Sequence, residues 1–483
     1  MNNRAILRVL GFIIIAVGLA MLPAAILSIF QDHPIEQTAL FVSAAVPILI
    51  GLVVLLLTRG ESVDLKIKDG FAVTTFGWLA AGLFGGLPYL LSGTCTPVDA
   101  FFESLSGFTT TGATIFDDIE SLPKGLLLWR SLTQWLGGMG IVVLSVAILP
   151  ALGVGGMQLF KAEVPGPTAD RLSPRIQDTA KILWGVYFGL TAIEAVLLLL
   201  GGMTPFEAVC HAFTTLSTGG FSTRNASIGG FESTYIDAVI TLFMFIAGAN
   251  FSLHFWLLRR GQWKRYFKNE EFRFYLILVV VSALALWIAI EMNTDATFET
   301  GFRWSVFQTV SILTSTGYGT SDYLLWGFGA QTMIFFLMFA GACAGSTAGG
   351  IKLMRVLLLA KHANRVMKKA LHPQGVFNIR HSGQLVDDDV MMNVLGFFLL
   401  YFALLVVSTI SVAAMGVDFT TAISATVSML SNIGPGLSQV GPTSTYADLP
   451  GAAKIILTFC MLFGRLELFT VLVVFMPMFW RKA

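Results

Sequence analysis

Read for hydrophobicity alone, the chain is a series of apolar runs separated by short polar loops. Runs near residues 7–29, 38–58, 71–92, 126–152, 180–202, 236–258, 273–291, 329–360, 390–415 and 452–479 are long enough to cross about 30 Å of hydrocarbon as helices of roughly 20 residues. The pattern therefore predicts about ten transmembrane helices. Between these runs lies a second kind of segment, with roughly ten apolar or small residues, too few to span, and a Ser/Thr/Asn-rich tetrapeptide closed by glycine. Four are present: "DAFFESLSGFTTTGA", "FEAVCHAFTTLSTGG", "WSVFQTVSILTSTGY" and "TAISATVSMLSNIGP". They recur about every hundred residues, each bracketed by two long runs.

This periodicity predicts an all-α polytopic membrane protein of four pseudo-repeats around one pore, each a span, a re-entrant helix, a glycine loop and a second span. Two extra spans precede them. The divisions fall at 1–69 for the N-terminal addition and 70–154, 155–262, 263–382 and 383–483 for the repeats. Non-helical backbone at membrane depth survives only where it is buried in protein or lines a water-filled cavity. Four loops meeting on one axis satisfy that condition, because their carbonyls replace the hydration shell of a cation and their glycines permit the required φ values. The candidate cation-binding residues are Thr110, Thr111 and Gly112 in the first loop and Ser217, Thr218 and Gly219 in the second. The third contributes Ser315, Thr316 and Gly317, and the fourth Asn432, Ile433 and Gly434. Short helices whose C-terminal ends face the axis would each add about half a negative charge toward the ion.

Composition agrees. Of 483 residues 55% are hydrophobic and 12% charged, with a mean hydropathy of +0.76, far outside the soluble range. The first run lacks a small-residue cleavage site and is followed at once by another, so it reads as an anchor, with the mature chain starting at Met1. Arg4, Arg8, Arg259, Arg260, Lys264, Arg265, Lys268, Lys361, Arg365, Lys368, Lys369, Arg380, Arg481 and Lys482 fall on the cytoplasmic side by the positive-inside rule, together with both termini. The opposite loops carry Asp117, Asp118, Glu120, Glu232, Asp237, Asp322 and Asp448. Cys95, Cys210, Cys343 and Cys460 show no metal-binding spacing and read as structural thiols. His211 and His254 likewise read as hydrogen-bonded packing residues. No HExxH, GxSxG, P-loop or GxGxxG motif supports an enzyme. The rival reading is a coupled secondary transporter of a small solute built from two inverted repeats. Four copies in one orientation favour the channel-like axis, and coupling to protons or sodium is left open.

Two features lie below the loops. "MFAGACAGSTAGGIKLMR" puts four glycines into the eighth run; each costs a helix about 0.5–1 kcal/mol relative to alanine, which argues for a break, the alternative being close packing of small residues. Arg465 sits midway in the last run, where a cation costs at least about 2.5 kcal/mol. Either it projects into the pore as a charge barrier, or it pairs with Glu467 or Glu194. The basic loops 259–268 and 361–380 read as topology signals or as a docking surface for a cytosolic regulator, and would also attract anionic headgroups.

On the four loop glycines, "QWLGGMGIVVL", "AGACAGSTAGG", "LFGRLELFT" and the two extra spans, the chain resembles the Trk/Ktr/HKT superfamily of potassium transporters, in its bacterial TrkH/TrkG branch. The resemblance covers nearly the whole chain. It implies potassium uptake across the bacterial inner membrane by a homodimer controlled by a cytosolic nucleotide-binding ring of the TrkA type. Potassium is then the substrate, no cofactor belongs to this chain, nucleotide sits only on the regulatory partner, and nucleic acid is no partner. It further implies that Gly341, Gly345, Ser346, Thr347, Gly349 and Gly350 form an intramembrane gate beneath the filter. The chain departs from a symmetrical filter, since only the third loop reads TGYG and the fourth reads "SNIGPG", which implies weaker selectivity.

Overall fold

A computed structural model describes residues 2–60, 65–140 and 176–481. Six helices among them are long and apolar enough to cross a membrane: Asn3–Ser28, Pro34–Leu57, Lys68–Leu91, Lys181–Leu200, Glu270–Asn293 and Asp388–Ala413. Three of the expected runs are not straight spans. The run at 236–258 is two helices, Thr234–Ala247 and Phe251–Arg259, bent by 103°. The last run is Gly451–Arg465 and Phe469–Phe475, bent by 119°. The run at 329–360 is split into Gly327–Leu337 and the start of Leu353–Leu371, with irregular chain between them. For the run at 126–152 the helix Lys124–Gly138 is described. Its remainder, most of the "GIVVL" motif and the 154/155 division lie outside the described residues, as does Lys482.

Each break has a local cause. At the first, Asn250 leaves the helix and its side chain accepts from the Ser252 amide, starting the next helix. At the second, Glu467 and Leu468 both adopt positive φ, 55° and 57°, conformations that turn the chain at a cost for side-chain-bearing residues.

The four short helices are Pro97–Phe108, Pro205–Leu216, Phe298–Leu313 and Phe419–Leu430. They start alike, with Thr96, Thr204, Thr297 and Asp418 each accepting a backbone N–H from the helix's first turn. Proline opens the first two, where its missing N–H removes no helical bond. The extra N-terminal pair docks on the first repeat by capping it. Glu36 Oε1 accepts from Leu126 N at 3.1 Å and Gln31 Oε1 from Lys124 N at 3.0 Å, satisfying donors a helix N-terminus leaves open.

Candidate ion pathway

At the C-terminal end of each short helix the chain repeats one backbone course on four different sequences. Thr110, Thr218, Ser315 and Asn432 take φ of 54°, 54°, 55° and 52°. Two residues on, Gly112, Gly220, Gly317 and Gly434 take φ of 79°, 80°, 80° and 101°. Between them, the amides of Thr111, Gly219, Thr316 and Ile433 return to the carbonyls of Ser106, Thr214, Ser311 and Ser428 at 2.8–2.9 Å. A left-handed residue, an ordinary one and a left-handed glycine thus follow in every loop.

The loops close on one another in chain order. A Cβ on Gly112 would lie less than 3.0 Å from the Gly219 carbonyl oxygen, and one on Gly220 equally close to that of Thr316. Gly317 meets the Ile433 carbonyl and Gly434 meets that of Thr111 in the same way, so the fourth loop returns to the first. Close approach and positive φ together leave only glycine at these four positions.

This geometry corrects the register expected for the second loop. The residue equivalent to Gly112, Gly317 and Gly434 is Gly220, and Gly219 occupies the place of Thr111, Thr316 and Ile433. The sequence holds the deciding signal, because a Ser or Thr stands six positions before each ring glycine, at Ser106, Thr214, Ser311 and Ser428. Counting back from Gly219 instead reaches Phe213.

A buried polar cuff holds the ring. Arg130 and Glu103, 1% and 0% exposed, form an ion pair at 2.8 Å. Glu103 also accepts from Ile115 N and Thr114 Oγ1, while Arg130 donates to the Ser222 carbonyl, so one pair ties down the chain leaving the first and second loops. Gln134 Nε2 donates to the Gly219 carbonyl at 2.7 Å and its Oε1 accepts from Phe221 N at 3.0 Å. Asn432 Nδ2 donates to Thr111 Oγ1 and to the Met461 carbonyl. Tyr446 Oη donates to Gly434 O, and Tyr323 Oη to Gly436 O. Apart from Asn432, sequence reasoning assigned these residues no role, although Glu103 and Gln134 lie inside the segments it singled out. His211 bonds through both ring nitrogens, to the Glu207 carbonyl and Ser222 Oγ. His254 bonds to Tyr266 Oη and the Ile246 carbonyl.

On the side away from the 338–352 loop the ring opens into a cavity of about 110 Å³ whose wall includes all four glycines, Gly112, Gly220, Gly317 and Gly434. Asp117 lines it. Beside it, Asn225 accepts from Ile119 N at 2.7 Å and donates to Asp118. That hydrogen bond, with those from Ser121, holds the Asp118 carboxyl below the usual aspartate value.

Beneath the ring, residues 338–352 form a folded-back loop in which Ala340–Gly341 pairs in parallel with Ile351–Lys352. Small-residue helix packing therefore does not describe this segment. The loop is hydrogen-bonded to the ends of the second and third short helices and to the third loop above it. Gly349 N donates to Ser315 Oγ at 2.7 Å, Thr347 Oγ1 to the Leu216 carbonyl at 3.0 Å and Ala342 N to the Leu313 carbonyl at 3.1 Å. It also plugs the break of the second repeat, since Cys343 N donates to Gly248 O and Phe251 N to Gly345 O, both at 3.0 Å. Of the residues expected here, Gly341, Thr347 and Gly349 are buried, Ser346 and Gly350 half-buried, and Gly345 exposed.

Arg465 ends its helix at the 119° bend. Its Nη1 donates to the Thr347 carbonyl at 2.7 Å, and its Nη2 to the Gly137 and Gly138 carbonyls at 2.6 and 3.0 Å. The guanidinium thus joins the loop to the first repeat. Glu467 pairs with Arg355, and neither oxygen of the buried Glu194 carboxyl has a hydrogen-bond partner.

Membrane-spanning helices around four re-entrant helices whose loops close into a ring define a channel-like membrane transport protein. The chain belongs to the TrkH family of cation transport proteins, whose family model matches residues 36–482. It is 41% identical to the Trk system potassium uptake protein TrkH of Halomonas elongata and 41% identical to that of Escherichia coli K12, over 100% of both chains in each case. It is also 33% identical to the Trk system potassium uptake protein TrkG of Escherichia coli K12, over 99% of both. The crystal structure of the potassium transporter TrkH from Vibrio parahaemolyticus matches it with a TM-score of 0.90 and 37% identity, over 100% of both chains.

Proposed function

We propose that this chain is the membrane subunit of a potassium uptake system, and that the ring is its selectivity filter. The observation that carries this reading is the closure of the ring: four left-handed glycines in chain order, each packed on the next loop's carbonyl. Such a ring offers main-chain oxygens to a dehydrated monovalent cation in place of water. The filter residues are those expected from the sequence, with Gly220 added as the ring glycine of the second loop. Ile433 and Pro435 in the fourth loop make the filter asymmetric and its preference for potassium over sodium weaker.

In this reading residues 338–352 are the gate. Hydrogen bonds to Ser315, Leu216 and Leu313 hold the loop across the path below the filter. Arg465 stands at the same level and acts in two ways: its charge opposes a cation leaving the ring, and its bond to Thr347 fastens the loop. The protein works as a homodimer in the bacterial inner membrane, with both termini cytoplasmic and a TrkA-type nucleotide-binding ring controlling the gate from that side. The Trk system names of its full-length relatives support the reading of a membrane subunit in a potassium uptake system.

The test is ion flux into liposomes containing the purified chain, with potassium, rubidium and sodium supplied in turn. Potassium and rubidium should enter, with sodium entering less well. A preference for sodium, or transport of an organic solute instead, would overturn the reading. Repeating the potassium measurement across imposed proton and sodium gradients decides whether uptake is coupled.

A further inference from the structure

We infer that Glu271 is the positioning residue that latches the 338–352 loop, at Ala344, to the start of the helix that leaves it, and that Glu270 beside it ties this latch further along that helix. The inference rests on reading that loop as the gate. Glu271 begins the span Glu270–Asn293 and is 2% exposed. Its Oε1 accepts from Ala344 N at 2.7 Å and from Met354 N at 2.9 Å. Ala344 belongs to the limb entering the Gly345 turn. Met354 lies in the first turn of Leu353–Leu371, where backbone N–H groups have no partner inside the helix. One carboxylate oxygen therefore clasps the descending limb of the loop to the start of the helix that leaves it. Hydrogen bonds to a charged acceptor are roughly twice as strong as neutral ones, and a helix N-terminus favours negative charge.

Glu270 extends the clasp along the same helix. Its Oε2 accepts from Lys361 Nζ at 2.5 Å and lies 3.6 Å from His381 Nδ1, while Lys361 also donates to the Arg380 carbonyl at 2.7 Å. Arg380–His381 and Gln384–Leu385 form a small hairpin. The start of the Glu270–Asn293 span thus holds the Leu353–Leu371 helix at two points, Met354 and Lys361. A force that shifts this helix from its far end acts on Met354 and, through Glu271, on Ala344, so the latch couples a displacement outside the pore to the loop.

The experiment reads the loop directly through its own thiol. Cys343, next to Ala344, is buried, as are Cys210 and Cys460 elsewhere, while Cys95 is partly exposed and is removed as Cys95→Ser. The full chain in liposomes is treated with a small maleimide and the alkylated cysteines are identified by mass. Glu271→Ala should raise the rate at Cys343 at least tenfold and leave Cys210 and Cys460 protected. Glu271→Gln keeps the oxygen acceptor and should stay near the parent. Met354→Pro deletes one donor where a helix tolerates proline, and gives a second way to open the clasp should Glu271→Ala fail to fold; it too should expose Cys343. Cys343 as protected as in the parent in a folded variant, or all three cysteines reacting together, overturns the latch. Potassium flux of the same samples separates the two readings: release of Cys343 with raised flux supports both, whereas release with unchanged flux keeps the latch and overturns the gate.

Discussion

The ring and the layer beneath it are built by opposite rules. In the ring, four sequences that share little beyond one glycine adopt the same left-handed pattern, with φ values within a few degrees at Thr110, Thr218, Ser315 and Asn432. One layer down, the four repeats diverge. The first leads to Gly137 and Gly138, the second bends by 103°, the third opens into the 338–352 loop, and the fourth bends by 119° after Arg465. Backbone repetition is what coordination on an axis requires, since every oxygen must meet the same ion. Asymmetry suits a layer read as a gate, because one loop held by a limited set of hydrogen bonds can move while the ring above keeps its own. On the proposed function, selection and control then fall to separate layers of the same four-part frame, joined by a few hydrogen bonds such as Gly349 to Ser315.

The largest effects should come from the ring. Valine at Gly112, Gly220, Gly317 or Gly434 meets both positive φ and a carbonyl wall, and should abolish selective uptake in liposome flux. The sharper form uses alanine. Gly220→Ala should lose uptake far more than Gly219→Ala, because the Gly220 methyl meets a backbone carbonyl at positive φ, whereas the atoms nearest the Gly219 methyl belong to the Gln134 side chain. Equal losses would dissolve the register on which the symmetry of the ring rests.

Next comes the cuff. Arg130→Met strands the fully buried Glu103, and removing one partner of a buried pair costs about 3–5 kcal/mol. Thermal unfolding in detergent should show a large drop in melting temperature, and the double change Arg130→Met with Glu103→Leu should recover much of it. A small drop in the single variant would show that the ring stands without this brace.

Control-layer changes should be milder for folding and opposite for flux. Arg465→Ala removes the donor to Thr347, Gly137 and Gly138, so potassium flux should rise, most at low potassium. Adding Glu194→Gln should change nothing further, since the Arg465 bonds to Thr347, Gly137 and Gly138 do not involve Glu194. The smallest effect is expected of Thr347→Val, which loses one hydroxyl bond to Leu216, a net of about 1 kcal/mol. Its flux should rise severalfold less than that of Arg465→Ala, and a larger rise would put the main restraint at the hydroxyl rather than at the guanidinium.

The same division explains what the chain revealed in advance. The four re-entrant segments were legible because each combines an apolar stretch too short to span with a hydroxyl-rich, glycine-closed end, and because repetition turns four weak signals into one. The slip between Gly219 and Gly220 arose where two glycines stand side by side and the residue type no longer marks the position. The bends were not legible, because hydropathy sums over a window and Arg465 followed by Glu467 lowers that sum little amid leucine and phenylalanine. The pairing of Arg130 with Glu103 and of Gln134 with the second loop was not legible for another reason: it is set by how helices from different segments pack, which no local pattern records.

The account stands on a cation occupying the ring. Crystals of the protein grown in rubidium, measured at the rubidium absorption edge, locate that ion without reference to flux. The account predicts anomalous density on the axis enclosed by Gly112, Gly220, Gly317 and Gly434, above Arg465. Density between helices with the ring empty would contradict it.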